Sequence, residues 1–199
     1  MPRISQEERK RVRARLLDSA ARHFAEHGLA GANINRISLD AGYAKGTIYN
    51  YFASKEELFA TILGTGSDVT VQRYRQREVE GDLRAHLLAL AEEDVALVQR
   101  HESFMKVIVR ELLSARPQTR EHLDAGLRPL AEVIVELIDD ARERGELRND
   151  LETAQLATLF MGQMTMLYAE HWRSGGVWPT WKQVPQLLVT LFFEGMEAR

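Results

Sequence analysis

Apolar side chains recur along this chain with the period of a helix, and no stretch alternates like a strand over more than a few residues. Val12, Leu16, Ala20 and Phe24 stand four apart, the pattern of a helix buried along one stripe. Ser5 and Glu8 form a capping-box pair at its start, and Gly28 stands where a closing glycine is expected. Asn33 is placed to cap a short second helix that ends near Ala41, with Ile34 and Ile37 apolar on one face. Gly42-Tyr43-Ala44 predicts a tight turn into a third helix, about 45–52. Ser54 and Glu57 repeat the capping pair and open a fourth helix, which Gly64-Thr65-Gly66 is expected to end.

Longer helices are predicted beyond that point, at about 68–79, 82–99, 102–114, 119–144, 151–172 and 183–197. Breaks fall at Gly81, near His101, at Arg116-Pro117, at Gly145 and across Arg173 to Trp181. Pro129 is expected to kink its helix or to mark its effective start, because it lacks an N–H donor. The fold class is all-α, with a domain boundary near Gly64 to Gly66. Two domains follow, 1–63 and 64–199.

Composition narrows the class. Of 199 residues, 45% are apolar and 28% charged, the balance of a globular chain. There is no cysteine, which removes disulfides, thiolate metal sites and cysteine nucleophiles together. No apolar run approaches the roughly 20 residues needed to span a bilayer, and the N-terminus lacks the apolar core of a signal peptide. A cytoplasmic protein with no membrane partner is expected. The net charge of −3 divides into +3 over residues 1–60 and −6 over the remainder. A basic end on an acidic body points to a polyanion meeting the N-terminal part alone.

Residues 34–52 read INRISLDAGYAKGTIYNYF, two short helices about a glycine turn. That is the helix-turn-helix arrangement, whose second helix enters the major groove of DNA. Lys45, Thr47, Tyr49, Asn50 and Tyr51 crowd that second helix, while Ile48 and Phe52 supply its core contact. Lysine and asparagine bond base edges, threonine offers a methyl and a hydroxyl, and tyrosine hydroxyls suit phosphates. Lys55 adds a cation at the first turn of the next helix, beside free backbone N–H groups. A helical hairpin with solvated polar faces is the alternative that spacing alone leaves open.

Residues 11–63 resemble the DNA-binding domain of the TetR family of bacterial transcriptional regulators. The likeness is carried by LLDSAARHFAEHG, INRISLDAGYAKGTIYNYF and SKEELF, above all by Gly-Thr-Ile-Tyr-x-x-Phe followed by Ser-Lys-Glu. The resemblance implies that Lys45, Gly46, Thr47, Tyr49, Asn50 and Tyr51 read DNA, with Asn33, Asn35 and Lys55 contributing. One departure is Ala44, where the family usually places a serine that caps the reading helix. Losing that cap costs about 1 kcal/mol.

Other motifs carry less. His23-Phe-Ala-Glu-His27 spells a zinc-protease pattern, yet no third ligand or catalytic framework accompanies it. Gly64-Thr-Gly66-Ser closes a helix and follows no strand, so it is a linker and not a phosphate loop. No nucleophile elbow is present, and no enzyme, metal or cofactor is expected.

The helix at 151–172 is apolar nearly all round and must be covered on both sides. Its smallest residues, Thr158, Gly162, Thr165 and Ala169, form a stripe that admits a second helix closely. The last helix, with Leu187 and Leu191 among its apolar positions, leaves only a narrow polar face. Both helices point to a dimer interface, and the resemblance implies the same four-helix pairing. Polar groups set among apolar ones mark a candidate sensor pocket for an apolar or aromatic small molecule. Its residues are Phe104, Met105, Glu111, Met161, Gln163, Met164, Tyr168, His171 and Trp172, each of which also suits a plain core.

The expectation is therefore a homodimeric, ligand-responsive repressor on a palindromic double-stranded operator. Within regulation the alternative is an activator, or a repressor that needs its ligand to bind. From another class, the alternative is a helical binding protein or enzyme with a vestigial DNA-binding module.

Overall fold

The computed structural model of the chain describes residues 5–114, 117–147 and 150–194. Among them every regular element is helical, and no helix is long and apolar enough to cross a membrane. The elements are α1 (Gln6–Gly31), α2 (Ile34–Asp40), a 3-10 turn (Thr47–Asn50), α3 (Lys55–Arg75), α4 (Leu83–Arg100), α5 (Glu102–Ser114), α6 (Pro117–Glu143), α7 (Thr153–Arg173) and α8 (Val184–Glu194). The predicted end of the last helix, 195–197, and Arg116 of the predicted break lie outside the described residues.

The chain divides into two compact units. The first is Met1–Leu63 with Ser103–Gly126, and the second is Gly64–Glu102 with Leu127–Arg199. In the first, the four-apart stripe of α1 is buried as its spacing requires, and Ile37, Ile48, Phe52, Leu58 and Phe59 close over it. Phe24 meets Phe59 edge-on with ring centroids 5.1 Å apart, and Phe104 lies 5.3 Å beyond Phe59. Each such ring contributes about 1.5–3 kcal/mol by leaving water. Gly126 lets α6 approach α3 closely, since a Cβ there would stand 2.9 Å from the Ala60 carbonyl oxygen.

In the second unit α8 packs on α4 and on α7. Leu87, Leu90, Val98, Ile134, Ile138, Phe160, Val184, Leu188 and Val189 fill its core. Asp82 caps α4 through the Ala85 N–H, and Glu152 with Gln155 forms a reciprocal capping box on α7.

Four boundaries differ from the sequence pattern. The first helix continues to Gly31 through a kink at Gly28, whose φ of 69° glycine alone adopts readily. The third helix tightens to the single 3-10 turn, because Gly42 to Gly46 are taken up by the preceding turn. α3 runs unbroken through Gly64, Thr65 and Gly66 to Arg75 instead of stopping and restarting. A glycine inside a helix costs only about 1 kcal/mol against alanine, and Gly66 lies against Leu97, which a Cβ would approach to 3.2 Å. Pro129 likewise sits inside α6 and does not begin it.

Candidate nucleic-acid interface

The 3-10 turn is held in place from beneath. Ile48 is fully buried and Phe52 nearly so, which fixes one side of the turn in the core of the first unit. Ser38, buried on α2, donates a 2.6 Å hydrogen bond to the Ala44 carbonyl and accepts at its own carbonyl from the Tyr43 N–H. Ser19 of α1 donates to the Ile37 carbonyl at 3.0 Å, tying α1 to α2. The Ala44 carbonyl also takes the Thr47 N–H, and no side chain caps the 3-10 turn.

What this frame leaves exposed is polar. Lys45, Gly46, Tyr49 and Asn50 are exposed, whereas Thr47, Tyr51 and Lys55 are half-buried. Gly46 has an ordinary φ of −79°, and a Cβ added to it would meet nothing within 4 Å, so neither backbone nor packing demands glycine there. Asn33 and Asn35 are exposed at the start of α2, where the Asn33 side chain accepts from the Asn35 and Arg36 N–H groups. Lys55 donates its ammonium to the Ala30 carbonyl at 3.1 Å, so it closes the end of α1 as well as opening α3. Ser54 caps α3 through the Glu57 N–H, and the Glu57 carboxylate takes the Ala53 N–H.

His23 of the zinc-protease pattern bonds Asp40 at 2.8 Å, and Arg36 reaches the same carboxylate. These contacts hold the Asp40 carboxyl below its ordinary pKa, with the His23 hydrogen bond foremost. Among the described residues no group of three potential ligands could hold a metal ion. The pair braces α1 against α2.

The predicted sensor residues divide between the units. Phe104, Met105 and Glu111 belong to the first, where Phe104 stacks in the phenylalanine cluster and Glu111 is buried with Arg110 3.8 Å away. Met161, Gln163, Met164, Tyr168, His171 and Trp172 lie on α7 in the second. There Tyr168 and Thr70 donate hydrogen bonds to buried Asp94, at 2.6 and 3.4 Å. Burial pushes the Asp94 carboxyl up, and it pushes the Tyr168 hydroxyl well up. His171 donates from Nδ1 to the Pro179 carbonyl at 2.7 Å and stacks on Trp181 at 3.9 Å. The Gln163 carbonyl oxygen is buried with no hydrogen-bond partner among the described residues.

On the stripe proposed for dimer contact, Thr158 and Gly162 are exposed, and Thr165, Ala169, Leu187 and Leu191 are half-buried. Leu159 and Met166 beside it are more than half exposed. Sequence reasoning did not single out Ser19, Ser38 or Asp94; small or acidic polar residues within helices carry no local sign of burial.

Residues 16–62 match the family described as bacterial regulatory proteins, tetR family. The chain is 27% identical over 160 residues to the HTH-type transcriptional regulator UidR of Escherichia coli, covering 78% of this chain and 79% of that one. It is 26% identical over 186 residues to the HTH-type transcriptional repressor KstR2 of Mycobacterium tuberculosis, covering 92% of each. The fold superposes with a TM-score of 0.79 on the transcriptional regulator FadR of Bacillus subtilis, solved in complex with stearoyl-CoA, at 17% identity over 92% of this chain and 99% of that one. Residues 16–62 thus carry the DNA-binding segment of the tetR family of bacterial regulatory proteins, and along most of its length the chain is similar to regulators of that kind.

Proposed function

We propose that this protein is a ligand-responsive transcriptional repressor that binds a palindromic operator as a homodimer. The observation that carries the reading is the 3-10 turn, which buries Ile48 and Phe52 while exposing Lys45, Tyr49 and Asn50. Lys45 and Asn50 have the donors and acceptors that read base edges in the major groove. Thr47, Tyr49, Tyr51 and Lys55 suit the sugar-phosphate backbone, as do Asn33 and Asn35 at the start of α2. The open space above Gly46 suits close passage of a DNA strand.

The dimer is supported by the exposed face of α7. Gly162 costs its helix about 1 kcal/mol relative to alanine, yet nothing in its own chain comes within 4 Å of a Cβ there. A second helix crossing at that point accounts for it. Two-fold symmetry then places two reading turns about 34 Å apart, one turn of DNA.

The sensor belongs to the second unit, with Met161, Gln163, Met164, Tyr168, His171 and Trp172 as the side chains that receive the effector. KstR2 is a repressor, which supports repression, and the FadR structure holds stearoyl-CoA, which supports an acyl-CoA thioester as the effector class. Flexible methionine side chains on α7 suit a long apolar chain. Release works by population shift: a ligand that prefers a conformer with differently spaced reading turns weakens operator binding by its preference ratio.

The test begins with a duplex selected from the region upstream of the protein's own gene. Fluorescence anisotropy is expected to show tight dimeric binding that stearoyl-CoA reverses. Failure to enrich any sequence over random DNA overturns the reading; selective binding that no acyl-CoA alters overturns the effector class alone.

A further inference from the structure

Three exposed arginines of α1 each lie over an aromatic ring of the helix-turn-helix segment. Arg9 stands over Tyr51 at 5.7 Å from the ring centroid, Arg13 over Phe52 at 5.4 Å, and Arg15 over Tyr43 at 5.1 Å. The helical repeat explains how one helix reaches all three. Taking the buried Val12 as reference, Arg9 and Arg13 fall about 60° and 100° to one side, and Arg15 about 60° to the other. The arginines therefore straddle the buried edge of α1. Tyr43 precedes the 3-10 turn and Tyr51 and Phe52 follow it, so the cations flank it at both ends.

Their charge is uncommitted. Lys10 and Arg11, on the outer side of α1, pair with Glu7 and Glu8 at 3.6 and 3.8 Å. Among the described residues no carboxylate lies within ion-pair distance of Arg9, Arg13 or Arg15. A guanidinium lying on a ring is attracted through its face, which holds the side chain in one place and leaves its N–H edges outward. Gly42 marks how closely Arg15 is held, since a Cβ there would come within 2.8 Å of its guanidinium nitrogen. A planar, pre-positioned fork of donors is the group that bonds a phosphate bidentately.

We propose that Arg9, Arg13 and Arg15 form a further DNA-binding set that grips backbone phosphates on both sides of the groove entered by the 3-10 turn. Tyr43, Tyr51 and Phe52 act as their seats. This inference rests on the DNA-binding reading above and adds α1 to the contact surface. It assigns no base specificity to these arginines, because phosphates are alike at every sequence.

The experiment measures salt dependence with two duplexes, the selected operator and an unrelated sequence, for wild type and for Arg9→Gln, Arg13→Gln, Arg15→Gln and the matching Lys variants. Each Gln variant is expected to flatten the slope of log affinity against log salt by about 0.9 unit per lost phosphate contact, on both duplexes alike. Each Lys variant keeps the slope but binds several-fold more weakly, having the charge without the fork. Circular dichroism reports folding, and the Lys series carries the comparison where a Gln variant does not fold. Wild-type slopes in all three Gln variants overturn the proposal, leaving the stacked arginines as braces within the first unit. A loss confined to the operator duplex also overturns it, in favour of base reading. Wild-type protein that binds neither duplex overturns the DNA-binding reading itself.

Discussion

The hydroxyl of Tyr168 donates a 2.6 Å hydrogen bond to Oδ2 of Asp94, joining α7 to α4 inside the second unit. Both side chains are buried, and Tyr168 and Thr70, neither of them a cation, donate hydrogen bonds to the acid. Burial therefore favours the protonated acid and raises the Asp94 pKa, and the two hydrogen bonds offset this only in part.

A pH dependence follows. A carboxyl whose pKa rises on folding holds its proton more tightly in the native state. Its contribution to stability is complete below the unfolded-chain pKa near 4 and is lost as pH rises through the native value. Asp94→Asn keeps an acceptor for Tyr168 and removes the titration. Urea midpoints across that window should fall with pH more steeply in wild type than in the variant. Parallel profiles would mean that Asp94 ionises freely in the folded protein.

The brace beneath the 3-10 turn gives a second prediction. Ser38→Ala removes the hydrogen bond to the Ala44 carbonyl and leaves that group without its buried donor. A loss of about 1–2 kcal/mol is expected, together with weakened operator binding. Ser19→Ala deletes a comparable buried bond one step away, between α1 and α2. It should cost similar stability with a smaller effect on operator affinity. Equal losses of affinity in the two variants would show that stability, not the placement of the turn, governs binding.

Much of this architecture is written in local pattern. The four-apart stripe of α1, the caps at Ser5, Asn33 and Ser54, and the polar crowding around Ile48 all report local rules that the tertiary structure obeys. Gly64 and Gly66 misled because their helix penalty is small and packing overrides it. Asp94 follows Glu92 and Glu93, so in sequence it belongs to a solvated acidic run; only the seating of α4 turns it inward. The arginines of α1 likewise look like an ordinary charged helix face until Tyr43, Tyr51 and Phe52 are brought beneath them.

The α7 face yields a third prediction. Gly162 is exposed and nothing surrounds it, so Gly162→Arg meets no obstacle within its own chain. The subunit should fold with near-native stability. In the proposed dimer the same side chain is forced, charged and unpaired, into a helix crossing, at a cost of several kcal/mol. Sedimentation should show a monomer, and operator affinity should fall with it. An intact dimer would move the interface off this face.

Gln163 permits the sharpest test of sensing. Its carbonyl oxygen is buried on α7 without a hydrogen-bond partner among the described residues, which costs the folded chain about 1–3 kcal/mol. A cost of that kind is tolerated where a ligand supplies the missing donor. Gln163→Met keeps nearly the same volume and removes the amide altogether. The apo variant should therefore be as stable as wild type or more so, with unchanged affinity for the operator. If Gln163 orients the effector, the stearoyl-CoA concentration that half-releases the operator should rise about tenfold, equivalent to about 1.4 kcal/mol. The two readouts separate the roles, because replacing a purely structural glutamine lowers stability and leaves release untouched. An unchanged release curve in the variant would place the effector elsewhere in the second unit, while operator binding by the 3-10 turn would stand.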